Sequence, residues 1–336
     1  MIRPVESQGP VATPSRATNS KKIWSRLPYF WVALTVFVIL AIANTVLEPN
    51  LWTATVLSGT VASAAPLVLV ALAETPVIVL GNGALDISVG PFMSVVNVVL
   101  VLLVGDHVTS PWALIGLALA MGLMSGVVNG FFSGVLRVPA IVVTFATYTM
   151  YSGLATHLLP QPGGTIPGWL SSWTGSVGPV PTSLVIIVLA LLIWVGLSRT
   201  RFVRYIYAIG GDERASYVSG VPLALVRLLT FMVTGIFTAL AALMLTAEIA
   251  SGDGNIGTPF TLMAITAVAL GGTSLLGGRG GIIGSVIGAF DIFLINNVIT
   301  VSHLAVFWQD VAYGTILVAA VVVNALTTQR GRARTV

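Results

Sequence analysis

The groups in this chain able to do chemistry are few, and most of them gather in three short stretches. The first is Gly81-Asn82-Gly83-Ala84-Leu85-Asp86-Ile87-Ser88-Val89-Gly90, a polar run between two apolar segments. Asn82, Asp86 and Ser88 would be costly against lipid, and irregular backbone at membrane depth is tolerated only against protein or a water-filled cavity. The run therefore has two readings: a broken helix bordering a solute path, or a turn in which Asp86 caps the helix that follows. The second stretch, from Phe202 to Pro222, is the most charged run between the termini. Gly210-Gly211 ends whatever precedes it, Asp212 is a good N-cap, and Glu213 suits a first helical turn. Gly220 fits the position just past a helix end, with Pro222 beyond it. The pattern predicts a helix of about two turns, Glu213 to Ser219, too short to persist alone in water. Caps at both ends mark a helix built to dock and not a solvated connector. The third stretch is Leu270-Gly271-Gly272-Thr273-Ser274-Leu275-Leu276-Gly277-Gly278-Arg279-Gly280-Gly281. A glycine-rich run can cradle phosphate, but a P-loop also needs Gly-Lys-Ser/Thr. The only lysines are Lys21 and Lys22, so the nucleotide-hydrolysing motif is missing and the run reads as a tight turn between helices.

Other chemistries are limited by composition. With no cysteine, disulfides, thiolate metal sites and a cysteine nucleophile are ruled out together. His107, His157 and His303 stand singly near the ends of apolar segments, which suits loop or interfacial residues better than a metal site. Inside the apolar segments, or between two of them in the case of Asp86, lie Glu74, Asp86, Glu248 and Asp291, with Asn97, Asn129, Asn296 and Asn297 as neutral polar groups. Such residues face the bundle interior or a water path. Asn82, Asp86, Ser88, Asn129, Asn296 and Asn297 are the candidates to line a translocation path. Neither lysine nor arginine lies within those segments to pair with the acids, which weakens an ion-coupled mechanism without excluding it.

The elements that must position these groups follow from hydropathy and charge. Of 336 residues, 56% are hydrophobic and 8% charged, with a mean hydropathy of +0.99. A soluble domain carries about 25% charged residues, so the chain is expected to be an all-α integral membrane protein. A span needs about 20 mainly apolar residues. Ten segments qualify: Pro28–Leu47, Thr55–Leu80, Phe92–Val104, Trp112–Ser133, Ala140–Leu158, Pro181–Leu197, Leu228–Ile249, Leu262–Leu276, Ile282–Thr300 and Val311–Leu326. With ten spans and the N-terminus inside, all 15 basic residues fall on one side, including Arg137, the Arg199–Arg227 loop and Arg279. Cationic loops stay cytoplasmic, so both termini are expected there. The net charge of +4 then reports topology and not nucleic-acid binding. The expected organisation is a polar cytoplasmic tail (1–27), a transmembrane domain (28–328) with a cytoplasmic loop at 199–227, and a basic tail (329–336). Trp24, Trp31, Trp52, Trp112, Trp169, Trp173 and Trp308 fall near the expected interfaces. Pro160–Thr182, rich in proline and glycine, is the one long outer connection. Gly280, Gly284 and Gly288 recur at every fourth position and predict a close helix–helix stripe in the ninth span.

These residues resemble the membrane-spanning permease subunit of ribose-type sugar ABC importers, from about Ser58 to Asn324. The motifs are Leu85-Asp86-Ile87-Ser88-Val89-Gly90; Gly126-Val127-Val128-Asn129-Gly130; Leu136-Arg137-Val138-Pro139 with Val143-Thr144; Arg204-Tyr205-Ile206-Tyr207-Ala208-Ile209-Gly210-Gly211; Leu270-Gly271-Gly272-Thr273-Ser274 with Gly277-Gly278-Arg279-Gly280; Asn296-Asn297; and Trp308-Gln309. Their order and spacing together carry the likeness. The resemblance implies a non-catalytic permease in the bacterial inner membrane, passing a small sugar or polyol delivered by a periplasmic binding protein. It implies a second permease subunit, identical or different, and a cytoplasmic ATP-binding subunit that uses the ATP, leaving this chain without a cofactor. The segment from Gly210, Gly211, Asp212, Glu213, Arg214, Ala215 and Ser216 to Gly220 is similar to the family's coupling helices, which contact the ATPase. Where the family commonly has Gly-Gly-Ile before its Asp-Leu-Ser-Val-Gly, this chain has Gly83-Ala84-Leu85 before Asp86, so substrate or gating is open to difference. Two other readings stand beside this one: an ion-coupled secondary transporter, and the same ABC architecture carrying an autoinducer-like furanose, a nucleoside or an amino acid.

Overall fold

The computed structural model describes residues 30–51 and 53–332. The expected N-terminal tail, Trp24, Trp52 and the last four residues lie outside them. The order is α1 (Trp31–Leu47), α2 (Ala54–Leu80), α3 (Val89–Gly105), α4 (Pro111–Gly130, continued by a π-helical turn over Phe131–Val135) and α5 (Ala140–Leu158). The long connection holds α6 (Gly168–Ser171), a 3-10 turn and the small hairpin β1 (Ser176–Val177) and β2 (Val180–Pro181). Then come α7 (Thr182–Ser198), α8 (Arg201–Gly211), α9 (Glu213–Val218), α10 (Leu223–Ile249), α11 (Thr258–Leu270), α12 (Ile282–Val301) and α13 (Phe307–Arg332).

The chain is an all-α membrane protein. By length and composition, α2, α4 with its π turn, α10 and α12 can each cross a bilayer, and α7 with α8 makes a fifth if that pair, bent by 76°, is one broken span. Each expected segment carries a helix, with shifted ends. α10 begins at Leu223 and not Leu228, and α11 stops at Leu270 and not Leu276, where the glycine pair withdraws side-chain support and favours a turn. α8 was not expected from the sequence. Its apolar residues Val203, Ile206 and Ile209 are buried while Arg201 and Arg204 are exposed, a one-faced pattern suited to the membrane surface.

α2 is the axis of the core, buried along most of its length even though it contains Pro66 and Pro76. A proline removes a ladder donor, a loss tolerated where neighbouring helices and hydroxyls supply hydrogen bonds around the break. Thr234 of α10 donates to Ala73 O at 2.9 Å, and Thr75 donates to Ala71 O at 2.6 Å. α4 packs against α10 along Gly122, Gly126 and Gly130, where a Cβ on Gly126 would sit 2.3 Å from Phe231 O. The expected stripe on α12 also forms, with Gly284 and Gly288 against Gly271 and Ala267 of the same chain. Gly280 is not part of it, because α12 starts two residues later, at Ile282.

The two ends of the bundle differ in charge. At one end, Gly81 and Asn82 line a cleft with Arg137 and Arg227, and the loop bearing Arg279 lies beside α8. At the other end, Gly163 and Gly252 exchange backbone hydrogen bonds at 2.9 Å and Trp169 Nε1 donates to Thr109 O at 2.8 Å. The segments at 107–110, 160–181 and 250–257 contain no lysine or arginine.

Candidate functional site

The first stretch folds into a tight turn followed by a buried polar knot. Ala84 N donates to Gly81 O at 3.0 Å, with Asn82 at φ +56° and Gly83 at φ +72°. Both central residues are left-handed, the type I′ geometry that Asn-Gly favours. Beyond the turn, Asp86 braces the residue ahead of α3 without capping the helix itself: its Oδ1 accepts from Ser88 N at 3.0 Å and from Ser88 Oγ at 2.5 Å. Asn129 of α4 donates to Ser88 Oγ at 3.0 Å and to Asp86 Oδ2 at 3.4 Å, and accepts from Thr147 of α5 at 3.0 Å. Glu74 of α2 accepts from the backbone N–H of Asp86 at 2.9 Å. Thr144 holds Leu85 O at 3.0 Å and Thr261 holds Ile87 O at 3.1 Å. Four helices thus fix one non-helical segment, and Asp86, Ser88 and Asn129 are 4%, 1% and 0% exposed. Buried polar atoms need such partners, because leaving one unpaired costs about 1–3 kcal/mol.

The second stretch builds the short helix with both caps. Asp212, at φ −157° and ψ 104°, accepts from Ala215 N at 2.9 Å. At the other end Gly220 has φ +81°, with Gly220 N to Tyr217 O at 3.0 Å and Val221 N to Ser216 O at 3.1 Å, the paired closure of a Schellman cap. α9 ends at Val218, one residue before the expected Ser219. Ser216 turns inward, buried, its hydroxyl on Asp212 O at 2.8 Å. Tyr217 and Val218 face out, 66% and 81% exposed. Beside α9 opens a groove of about 790 Å³ lined by Arg137, Glu213, Arg214, Tyr217 and Arg227.

The three stretches meet. A Cβ on Gly81 would lie 3.0 Å from Gly210 Cα and 3.2 Å from Gly277 Cα, and one on Gly210 would lie 2.0 Å from Val79 O. Gly278 N donates to Val79 O at 2.9 Å, and Tyr207 OH donates to Gly280 O at 2.9 Å. The side chain of Asn82 donates to Glu213 Oε2, which also pairs with Arg227 at 2.7 Å. Asn82 and Glu213 are thereby brought together, whereas Asn296 and Asn297 are not part of this assembly. Asn297 donates to Asn44 Oδ1 at 2.9 Å and to Glu48 Oε2 at 3.3 Å, and Asn296 accepts from Tyr313 OH.

Sequence reasoning names Thr144 only within a motif and places neither it nor Glu74 in the knot, and it singles out neither Thr147 nor Thr261 as a partner of these groups, nor Arg227 as the partner of Glu213. Hydroxyls at positions 144 and 147, three apart on one face of an apolar helix, were the available signal.

The chain matches the family described as branched-chain amino acid transport system / permease component over residues 56–323. It is 32% identical to the ribose import permease protein RbsC of Escherichia coli over 298 residues, 87% of this chain and 92% of that one. It is 33% identical to RbsC of Bacillus subtilis, covering 72% and 77%, and 31% identical to the autoinducer 2 import system permease protein LsrC of Escherichia coli, covering 86% and 85%. No solved structure matches the chain. With the motifs, the helical bundle and a match across most of its length in agreement, the chain belongs to the permease components of ABC importers, of the ribose type, which are the non-catalytic membrane subunits of those transporters.

Proposed function

We propose that this chain forms one half of a dimeric pore in a bacterial inner membrane, with ten spans and both termini cytoplasmic, importing a small sugar or polyol. A periplasmic binding protein delivers the solute, and a cytoplasmic subunit binds and hydrolyses the ATP, so this chain needs no cofactor of its own. The observation that carries the cargo is likeness along nearly the whole of a ribose permease, 92% of its length. A furanose signal is the second cargo, favoured by the likeness to the autoinducer 2 permease. Ion-coupled transport finds no support in either relative. The ten-span arrangement is supported by the gathering of Arg137, Arg227 and Arg279 at one end and by basic-free segments at the other.

The segment from Gly210 to Gly220 is the proposed ATPase contact. Its support is a six-residue helix held by caps at both ends, with Tyr217 and Val218 presented outward and an arginine-lined groove alongside. A helix that short persists only with outside help. Asp86, Ser88 and Asn129 remain proposed as the inner border of the path. In this conformation their polar atoms face one another, so opening toward the path requires breaking those bonds. Asn82 stands at the exposed tip of the same turn. Asn296 and Asn297 are proposed to act at a separate level, Asn297 with Asn44 and Glu48 and Asn296 with Tyr313.

The cargo is tested by reconstituting the chain with its ATPase and binding protein and measuring uptake of labelled ribose, other pentoses, hexoses, polyols, autoinducer 2 and branched-chain amino acids. Uptake of a polyhydroxylated solute supports the assignment, and selective uptake of leucine or valine overturns it.

A further inference from the structure

We propose that Asn82 and Glu213 are positioning residues that lock α9 to the turn ahead of α3, so that displacement of α9 is delivered to the Asp86–Ser88–Asn129 knot. This rests on α9 being the ATPase contact. The argument begins with backbone. Gly81, Gly210, Gly277 and Gly278 interleave so closely that a Cβ on Gly277 would sit 2.3 Å from Gly81 Cα and one on Gly278 would sit 2.7 Å from Gly211 N. Side chains that cushion a contact can absorb movement by changing rotamer, but bare backbone cannot. The turn at 81–83, the end of α8 and the loop at 277–280 therefore form one stiff block.

Glu213 is the first residue of α9, immediately after that block. Its carboxylate is shared: Oε2 accepts from Asn82 on the turn and from Arg227 on α10, the latter at 2.7 Å. Bonds to a charged acceptor are the stronger kind. This carboxylate ties α9 to the turn by a side-chain bond. From Asn82 the chain runs four residues to Asp86, whose backbone N–H and carboxylate are held by Glu74, Ser88 and Asn129. A pull on Asn82 is thus applied to a segment too short and too strongly bonded to slacken.

Position 82 allows the side chain to be tested apart from the backbone. Its φ of +56° suits Gly as well as Asn, so Asn82→Gly removes the amide and leaves the turn. Asn82→Asp keeps the shape and sets a carboxylate against Glu213. The experiment reconstitutes the permease with its ATPase and binding protein and measures solute imported per ATP hydrolysed. Each variant also carries Tyr217→Cys, in a chain without native cysteine, to cross-link α9 to the ATPase. In both Asn82 variants the cross-link and ATP hydrolysis persist, while import per ATP falls about fivefold or more. Adding Glu213→Gln to Asn82→Asp restores one donor against one acceptor and recovers much of the import, which a merely structural role for position 82 would not give. Wild-type import per ATP in both Asn82 variants, with the cross-link intact, overturns the lock and leaves the contact assignment standing. Loss of the cross-link only in the Asn82 variants also overturns it, because the residue then serves docking. If the cross-link fails even with Asn82 present, the ATPase contact itself is misassigned and the lock falls with it.

Discussion

Replacing Gly220 tests whether the shape of α9 is what the partner reads. The residue sits at φ +81°, and a Cβ built there meets nothing within 4 Å. A substitution therefore pays only for backbone, with no clash to confuse the result. An L-residue in the left-handed region costs about 1–2 kcal/mol, more if β-branched and less for Asn. α9 has six residues and its C-terminal closure depends on Gly220 N to Tyr217 O and Val221 N to Ser216 O, so it holds no reserve. A loss of about 1–2 kcal/mol lowers the population of the correctly shaped end roughly 5- to 30-fold. The expected order of solute-stimulated ATP hydrolysis, measured with the co-purified ATPase, is Gly, then Asn, Ala and Val. Asp212→Ala, which removes the N-cap at a cost of about 0.5–2 kcal/mol, falls with the Ala variant. Membrane abundance stays near wild type, because the site lies at the bundle's surface. If Gly220→Val transports at the wild-type rate with its ATPase firmly bound, the segment is a plain connector.

Asn129→Leu leaves Asp86 Oδ2 without its partner, at about 1–3 kcal/mol for the unpaired group, while Ser88 Oγ keeps Asp86 Oδ1 and Thr147 keeps Val143 O and Thr144 O. Its Tm in detergent drops below wild type, and an unchanged Tm would mean the knot does not hold the turn. Gly126→Val forces a side chain into Phe231 O and costs about 1–3 kcal/mol or more, seen as reduced abundance. Gly116→Ala, with nothing within 4 Å, leaves abundance unchanged. Single cysteines at Val177 and Tyr217, 75% and 66% exposed, label from the periplasm and the cytoplasm respectively. Periplasmic labelling at position 217 rejects the ten-span arrangement. Ser216 is unsuited to that experiment because its side chain is buried.

The sequence made the helices legible because hydrophobic runs and charge placement act locally. The short helix α9 was readable for the same reason, since Asp212 and Gly220 are end signals that need no tertiary context. α8 escaped because its 11 residues, with Arg201 and Arg204 opposite the apolar face of Val203, Ile206 and Ile209, do not read as a membrane span, and the pattern reads as part of a charged loop. The type I′ turn was present in the Asn82-Gly83 pair but reads as a generic break unless φ is considered. What no local signal carried was the meeting of three glycine-rich stretches far apart in sequence, at Gly81, Gly210 and Gly277. Nor could spacing tell that Asn129 joins Asp86 while Asn297 joins Asn44 and Glu48 and Asn296 joins Tyr313. Those pairings are set by which helices pack together, and small residues on α4, α10, α11 and α12 determine that through close approach.

The central claim is that this chain is a passive membrane path driven by a separate ATPase. The direct measurement is solute uptake into proteoliposomes containing the chain, with and without the ATPase and binding protein, under either ATP or an imposed proton or sodium gradient. Uptake is expected only with both partners and ATP, and the purified chain alone is expected neither to bind nor to hydrolyse ATP. Robust uptake by the chain alone, driven by an ion gradient, would contradict the account.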